Sequence, residues 1–185
     1  MSRYRPPRPP SSPYITQGGY KRLNDELGFL WKEKRPEVTR KVAEAAALGD
    51  RSENAEYIYG KRQLREIDAR IQYLSKRLDV LQVVDRLPPD QTRIFFGATV
   101  TLEDEDGAEQ TFRLVGADEV GDAPGYISID APMARALVGK TLDDEVSITS
   151  QQAERPRVLD PNASQMETSY VVVAIDYENF SDGIL

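Results

Sequence analysis

The sequence predicts an α+β protein in which a long antiparallel α-helical coiled-coil hairpin is followed by a small β-rich domain. Apolar residues recur at heptad spacing in the first half, whereas short β-branched and aromatic segments follow Pro89. Charge separates the same two parts, because residues 14–86 carry a net charge of +3 and residues 87–185 carry −13. We therefore expect a hairpin domain over residues 14–86 and a second domain over residues 90–185.

A first helical arm is predicted from Thr16, a suitable N-cap, to about Leu48. Pro36 interrupts the apolar spacing of this arm. Because a helix can continue past an internal proline with a kink, we expect a bend near residues 32–35. The apolar positions of the first arm are Tyr20, Leu23, Leu27 and Leu30.

A second arm is predicted from about Ser52 to Val84, with an uninterrupted heptad that includes Gly60. Two long helices joined by about four residues must fold back antiparallel. Periodicity allows registers one heptad apart, and Gly49 favours a turn between positions 50 and 51. Facing residues then have position numbers that add to 101. Arms of about 33 residues would form a rod roughly 50 Å long.

The second half of the chain predicts a small sheet packed on one short helix. The helix is expected at Ala131–Val138. Residues 150–169 lack a period and predict a long, mobile loop. The expected strands are Ile94–Leu102, Thr111–Val115, Gly125–Ile129, Glu145–Thr149 and Tyr170–Tyr177.

Composition excludes several classes of protein. The 185 residues contain no Cys and no His, which removes disulfides, zinc sites built on those residues and imidazole bases. No apolar run reaches the roughly 18 residues of a membrane span, and the first residues lack the apolar core of a signal peptide. We therefore expect a cytoplasmic protein with no membrane partner. Residues 1–13, with five Pro and three Arg, predict a disordered basic tail, either simply solvated or touching nucleic acid.

The predicted hairpin tip carries two acidic residues, Asp50 and Glu53, three positions apart. Helix capping is the ordinary explanation for acidic residues at this position. Asp50 or Ser52 is a good N-cap, and acidic side chains complement the dipole at the N-terminus of a helix. The alternative is a functional carboxylate pair at the end of a narrow rod. Two carboxylates bind magnesium weakly, so such a site would become competent only where a partner supplied a first metal and a phosphodiester.

Basic residues follow directly behind the tip. Lys61, Arg62 and Arg65 lie on the second arm, and we call these three residues the basic patch. A solvated helix face with i,i+4 acid pairs is one explanation, and contact with nucleic acid is the other.

Residues 49–57 and 60–68 resemble the tip and second arm of the bacterial transcript cleavage factors of the GreA/GreB family, and the GreB branch more closely. Residues 94–98 and 127–140 resemble the C-terminal domain of that family, which has an FKBP-like fold. The resemblance implies a factor that docks on RNA polymerase through this domain and inserts its coiled coil into the secondary channel. The polymerase then cleaves its own backtracked RNA. Such a factor is a catalytic accessory rather than a complete enzyme.

The same resemblance implies roles for individual residues. Asp50 and Glu53 would position a magnesium ion held jointly with RNA polymerase and not bound tightly by the free chain. Ser52 and Asn54 would orient the water or the acids, and the basic patch would contact the 3′ segment of the nascent RNA. We expect the free chain to be monomeric.

Two other functions remain open. A protein of the same shape could enter the channel and regulate or inhibit the polymerase without cleavage, although the tip retains the pattern of the cleavage factors. A prolyl isomerase would rest on the FKBP-like fold alone, and fold is a poor guide to function.

Overall fold

The computed structural model describes residues 11–47, 54–149 and 167–177. The chain divides into two compact units, one formed by Gly18–Leu81 and the other by Met1–Gln17 together with Gln82–Leu185. A helical hairpin followed by a β-sheet domain confirms the predicted α+β class. In chain order the elements are β1 (Tyr14–Thr16), α1 (Gln17–Phe29), a π-helical turn (Leu30–Lys34), α2 (Arg35–Ala47), α3 (Ala55–Val80), β2 (Gln82–Val84), β3 (Ala98–Asp104), β4 (Glu109–Val115), β5 (Tyr126–Ser128), α4 (Pro132–Leu137), β6 (Glu145–Thr149) and β7 (Glu167–Tyr177).

The helical unit is held together by an apolar seam between its two arms. Val38 from α2 and Ile67 and Ile71 from α3 are buried against one another, and partly buried apolar side chains extend the seam. Val42 and Gly60 face each other, and their position numbers add to 102. A slip of one heptad would give 94 or 108, so at this contact the predicted register of 101 holds to within one residue.

The first arm changes its winding where the sequence predicts a bend. Leu30–Lys34 form a π-helical turn, in which the Arg35 N–H bonds to the Leu30 carbonyl. Pro36 follows directly and has no N–H to donate. A carbonyl one turn earlier therefore lacks its usual partner, and a local wide turn accommodates this loss.

The second arm ends earlier than predicted. α3 stops at Val80, and Gln82–Val84 form β2 instead of a last helical turn. Strand β2 pairs in parallel with β1, with Ile15 opposite Val83. The prediction of helix to Val84 is therefore wrong, because main-chain pairing with a strand far away in sequence satisfies these residues better than another helical turn.

The second unit contains a five-stranded sheet in the order β5-β4-β3-β7-β6. Helix α4 contributes Ala134 and Leu137, both with no exposed area, to its core. Burying a leucine side chain in this way stabilises the fold by about 2–3 kcal/mol. The other buried members of this core are Ile94, Ala98, Val100, Leu102, Leu114, Val146, Ile148 and Val172.

Two predicted boundaries in this unit are wrong. The strand predicted from Ile94 begins only at Ala98, because Gly97 has a φ of 87° and cannot continue an extended strand. The loop predicted over residues 150–169 is too long at its end, since β7 begins at Glu167 and pairs there with Thr149. The rest of that loop and the tail up to residue 10 lie outside the described residues.

None of the helices in the described ranges has the length and apolar character needed to cross a membrane.

Candidate functional site

The described residues nearest the predicted tip are the end of α2 and the beginning of α3. Asn54 is the N-cap of α3, with φ −83° and ψ 99°, and its side-chain oxygen accepts a hydrogen bond from the Tyr57 N–H at 3.1 Å. Its side-chain nitrogen donates to the carbonyl of Ala45 on the opposite arm at 2.9 Å. One amide therefore caps the second arm and joins it to the first.

The identity of this cap differs from the prediction. The sequence predicts Asp50 or Ser52 as the N-cap, whereas the helix begins at Ala55 behind Asn54. Asp50, Ser52 and Glu53 lie among residues 48–53, outside the described residues. Because Asn54 caps α3, neither Asp50 nor Ser52 is needed for that purpose.

The two arms approach closely about two turns behind Asn54. A Cβ atom added to Gly60 would lie 2.6 Å from Cγ2 of Val42, well inside van der Waals contact. Gly60 belongs to the heptad predicted for the second arm, and its contact with Val42 shows that this position faces the first arm. Glycine weakens a helix by about 1 kcal/mol relative to alanine, so this position gives up helix stability in exchange for proximity of the arms.

The basic patch lies on the exposed surface of α3. Arg62 donates to the carboxylate of Glu66 at 3.0 Å, but both side chains remain largely exposed, at 74% and 64%. An ion pair of this kind contributes well under about 1 kcal/mol and is readily exchanged. Lys61 and Arg65 form no ion pair within the part of the chain that the structure describes. Positions 61, 62 and 65 share one face of a helix, so three cations are presented together.

Farther from the tip, two cross-arm ion pairs tie α3 to the first arm. Arg70 donates two hydrogen bonds to the carboxylate of Glu26, both at 2.7 Å, and Arg35 donates to Asp68 at 2.7 Å. The hydrogen bonds from Arg70 lower the pKa of Glu26 below its usual value of 4.5. Heptad analysis follows apolar positions and misses these pairs. The position numbers of the two pairs add to 96 and 103, so the predicted register of 101 does not place these charges directly opposite each other and gives no signal for them.

A buried carboxylate organises the second unit near β1. Glu119 is 2% exposed and accepts hydrogen bonds from the N–H groups of Gly116 and Thr16, at 2.9 and 3.1 Å, and from the Thr16 hydroxyl. The strand passes so close that a Cβ on Gly116 would lie 2.4 Å from the Tyr14 carbonyl oxygen. Sequence analysis missed Glu119, since nothing in its local pattern distinguishes it from an exposed acid.

The segment that resembles the family's C-terminal domain contains β5 and α4. Asp130, between these elements, accepts a hydrogen bond from the Ser12 N–H at 2.7 Å. The first described residues of the chain are thereby fixed to the loop that precedes α4.

Metal-binding chemistry is restricted to oxygen ligands, because the chain has no Cys or His. No group of three or more acidic residues able to hold a metal occurs in the described ranges. The carboxylates of Asp50 and Glu53 are of the type that magnesium prefers. A pair of carboxylates supplies only part of the octahedral shell of this ion, so a partner would have to provide the remainder.

Comparison with known families and proteins identifies close relatives. Residues 13–83 match a family described as transcription elongation factor, N-terminal, of the GreA/GreB group. Residues 89–160 match transcription elongation factor, GreA/GreB, C-terminal. Transcription elongation factor GreB of Pseudomonas aeruginosa is 58% identical over 155 residues, covering 84% of this chain and 92% of that protein. GreB of Yersinia pestis is 50% identical over 171 residues, 92% of each chain.

Solved structures of similar proteins also match. Gfh1 of Thermus aquaticus is 25% identical, covering 90% of this chain and 99% of that one, with a TM-score of 0.39. The elongation factor GreA/GreB of Nitrosomonas europaea is 21% identical, covering 90% and 100%, with a TM-score of 0.37.

Proposed function

The chain belongs to the GreA/GreB family of transcription elongation factors, and we propose that it acts by entering the secondary channel of RNA polymerase and stimulating cleavage of backtracked nascent RNA. Cleavage of the transcript creates a new 3′ end from which an arrested complex can resume elongation. The polymerase performs the bond cleavage, and this chain contributes side chains to the polymerase active site. It is therefore an accessory to catalysis rather than an independent nuclease.

The observation that supports this proposal is that Asn54 is the N-cap of α3. The ordinary explanation for polar and acidic residues at a helix start is capping, and here a different residue fulfils it. Asp50 and Glu53 fall in the six positions between the last described residue of α2 and Asn54. Two carboxylates in a short connection between long arms are the residues that would enter a narrow channel first.

Asp50 and Glu53 would hold a magnesium ion jointly with the polymerase, and Ser52 would orient the attacking water or the acids. When bound, this ion stabilises the negative charge that develops on the phosphate and lowers the pKa of a bound water. Side chains other than carboxylates would be poor ligands for this ion in place of Asp50 and Glu53, because magnesium prefers hard anionic oxygen ligands.

The basic patch would hold the extruded 3′ segment of the RNA. Its three side chains are exposed, and only Arg62 forms an ion pair within the described ranges, a weak one. Contacts between such cations and phosphates bind RNA without reading its sequence. The chain would then act on backtracked transcripts of any sequence. The second unit would dock on the polymerase surface in the cytoplasm, with no membrane involved.

The test is RNA cleavage in purified backtracked elongation complexes, measured with saturating amounts of the wild-type chain, Asp50→Asn or Glu53→Gln. We expect each substitution to lower the maximal cleavage rate about 10- to 100-fold, because a misplaced catalytic group has effects of that size. Binding to the polymerase should be unchanged. Glu44→Gln removes an exposed acid of α2 and is the matched control that keeps the wild-type rate.

Full cleavage by both tip variants would refute the metal-positioning role. If the wild-type chain binds the polymerase and slows transcription without any cleavage, the protein is instead a channel-binding regulator.

A further inference from the structure

We propose that Asn54 is a positioning residue for the cleavage reaction, acting by joining the two arms at the ends of the connection that carries Asp50 and Glu53. This inference rests on the proposed function. Asn54 precedes α3, and its amide bridges to the Ala45 carbonyl of α2 at 2.9 Å while accepting from the Tyr57 N–H at 3.1 Å. The bridge closes a ring that contains residues 46–53, and both tip acids belong to that ring.

The chemistry of the two partners explains why this position needs an amide. The Ala45 carbonyl can only accept a hydrogen bond, and the Tyr57 N–H can only donate one. The side chain between them must donate with one atom and accept with another, which asparagine does at the required length. Aspartate or serine would serve equally well as an N-cap. Capping alone therefore does not account for the amide, whereas a bridge between the arms does.

The location of the bridge accounts for its effect on catalysis. Ala45 is 4% exposed, so its carbonyl is held by a packed backbone rather than by a mobile surface. Behind it, the contact of Val42 with Gly60 keeps the arms close together. A catalytic group must be placed to within about 0.5 Å, and a displacement of 1 Å can cost about 100-fold in rate. Fixing both ends of a short connection reduces the range of positions that its carboxylates sample.

The first experiment separates the bridge from the cap. Asn54→Asp and Asn54→Ser both retain an N-cap oxygen, but Asp has no donor and Ser lacks the second polar atom. Cleavage in backtracked complexes is measured as a function of chain concentration. We expect both variants to lower the maximal rate about 10-fold or more while the half-saturating concentration changes less than threefold. A merely structural defect would weaken binding as well, so this split is specific to positioning.

The second experiment restores the bridge covalently. The chain has no cysteine, and a Cβ on Gly60 lies 3.8 Å from Cβ of Val42, the mean separation in disulfides. Val42→Cys/Gly60→Cys can therefore link the arms in the Asn54→Ser background. After oxidation, the maximal cleavage rate of this Asn54→Ser chain should come within about threefold of the rate of the oxidised Val42→Cys/Gly60→Cys chain that retains Asn54. Reduction of the disulfide should abolish this recovery.

A third readout does not depend on cleavage. The equilibrium constant for forming this disulfide against glutathione should fall about fivefold in Asn54→Ser, the net worth of about one hydrogen bond. A wild-type maximal rate in Asn54→Ser, a persistent defect after oxidation, or an unchanged disulfide equilibrium would each overturn the inference. Absence of cleavage with the unsubstituted chain is a different result, since it would overturn the proposed function and leave the disulfide equilibrium to decide the role of Asn54.

Discussion

Replacing Gly60 by alanine should destabilise the hairpin, although alanine is the better helix former. Alanine gains about 1 kcal/mol over glycine within a helix. The added methyl, however, lies 2.6 Å from Cγ2 of Val42, about 0.8 Å inside the range of ordinary contact that begins at 3.4 Å. Overpacking of this kind costs about 1–3 kcal/mol. The net loss in the free energy of unfolding is therefore about 0–2 kcal/mol.

A second substitution changes the sign of the effect. In a Val42→Ala background the nearest remaining atom is the Cβ of residue 42, at 3.8 Å, which is an ordinary contact. Gly60→Ala should then stabilise the hairpin by about 1 kcal/mol, as helix propensity alone predicts. The coupling energy between the two substitutions equals the overpacking term, about 1–3 kcal/mol.

Urea unfolding followed by tryptophan fluorescence measures these changes in the hairpin itself. Trp31 is the only tryptophan of the chain and lies in the π-helical turn of the first arm. Gly28 provides the matched control, because a Cβ there has no atom within 4 Å. Gly28→Ala should stabilise by about 1 kcal/mol in either background. If Gly60→Ala stabilised as much as Gly28→Ala with Val42 present, the arms would not approach as described.

Three further predictions concern charged groups. Glu119→Ala should lower the stability of the sheet unit by about 2–4 kcal/mol, because it removes a buried side chain that accepts three hydrogen bonds; a loss below about 0.5 kcal/mol in thermal unfolding by circular dichroism would contradict this. The hydrogen bonds from Arg70 hold the pKa of Glu26 below 4.5, so this pair stabilises the hairpin above that pH and loses its contribution as the pH falls through the lowered pKa. The effect is about 0.5 kcal/mol after solvent screening, and an acid titration in which Glu26→Gln unfolds identically to wild type would refute it. The affinity for single-stranded RNA can be measured by fluorescence anisotropy at several salt concentrations. In a plot of log affinity against log salt concentration, Lys61→Ala and Arg65→Ala should each make the slope shallower by about 0.7. An unchanged slope would exclude a phosphate contact.

The sequence predicts the helical arms well because their stability comes from a repeated pattern. A heptad that runs from Tyr57 to Leu81 leaves little choice of partner face, and Gly49 selects the register near the one observed. The heptad pattern does not predict where the second arm ends. Val83 continues an apolar helical face as readily as it forms a strand, and only pairing with Ile15, 68 residues away in sequence, decides between the two.

The tip illustrates a second limit of sequence analysis. Asp50, Ser52 and Asn54 are all good N-caps, and propensity cannot rank them. The position of the Ala45 carbonyl on the other arm decides, since only an amide can serve both arms at once. Such a choice depends on tertiary geometry. The π-helical turn is similar, because Pro36 predicts a disturbance but not which hydrogen bonds replace the lost one.

A magnesium titration of RNA cleavage in backtracked complexes tests most directly our proposal that this chain brings two carboxylates to a magnesium ion shared with RNA polymerase. The wild-type chain should lower the magnesium concentration at half-maximal rate, and Asp50→Asn should raise it towards the value for the polymerase alone. An identical magnesium dependence for the wild-type chain, Asp50→Asn and polymerase without factor would contradict the claim.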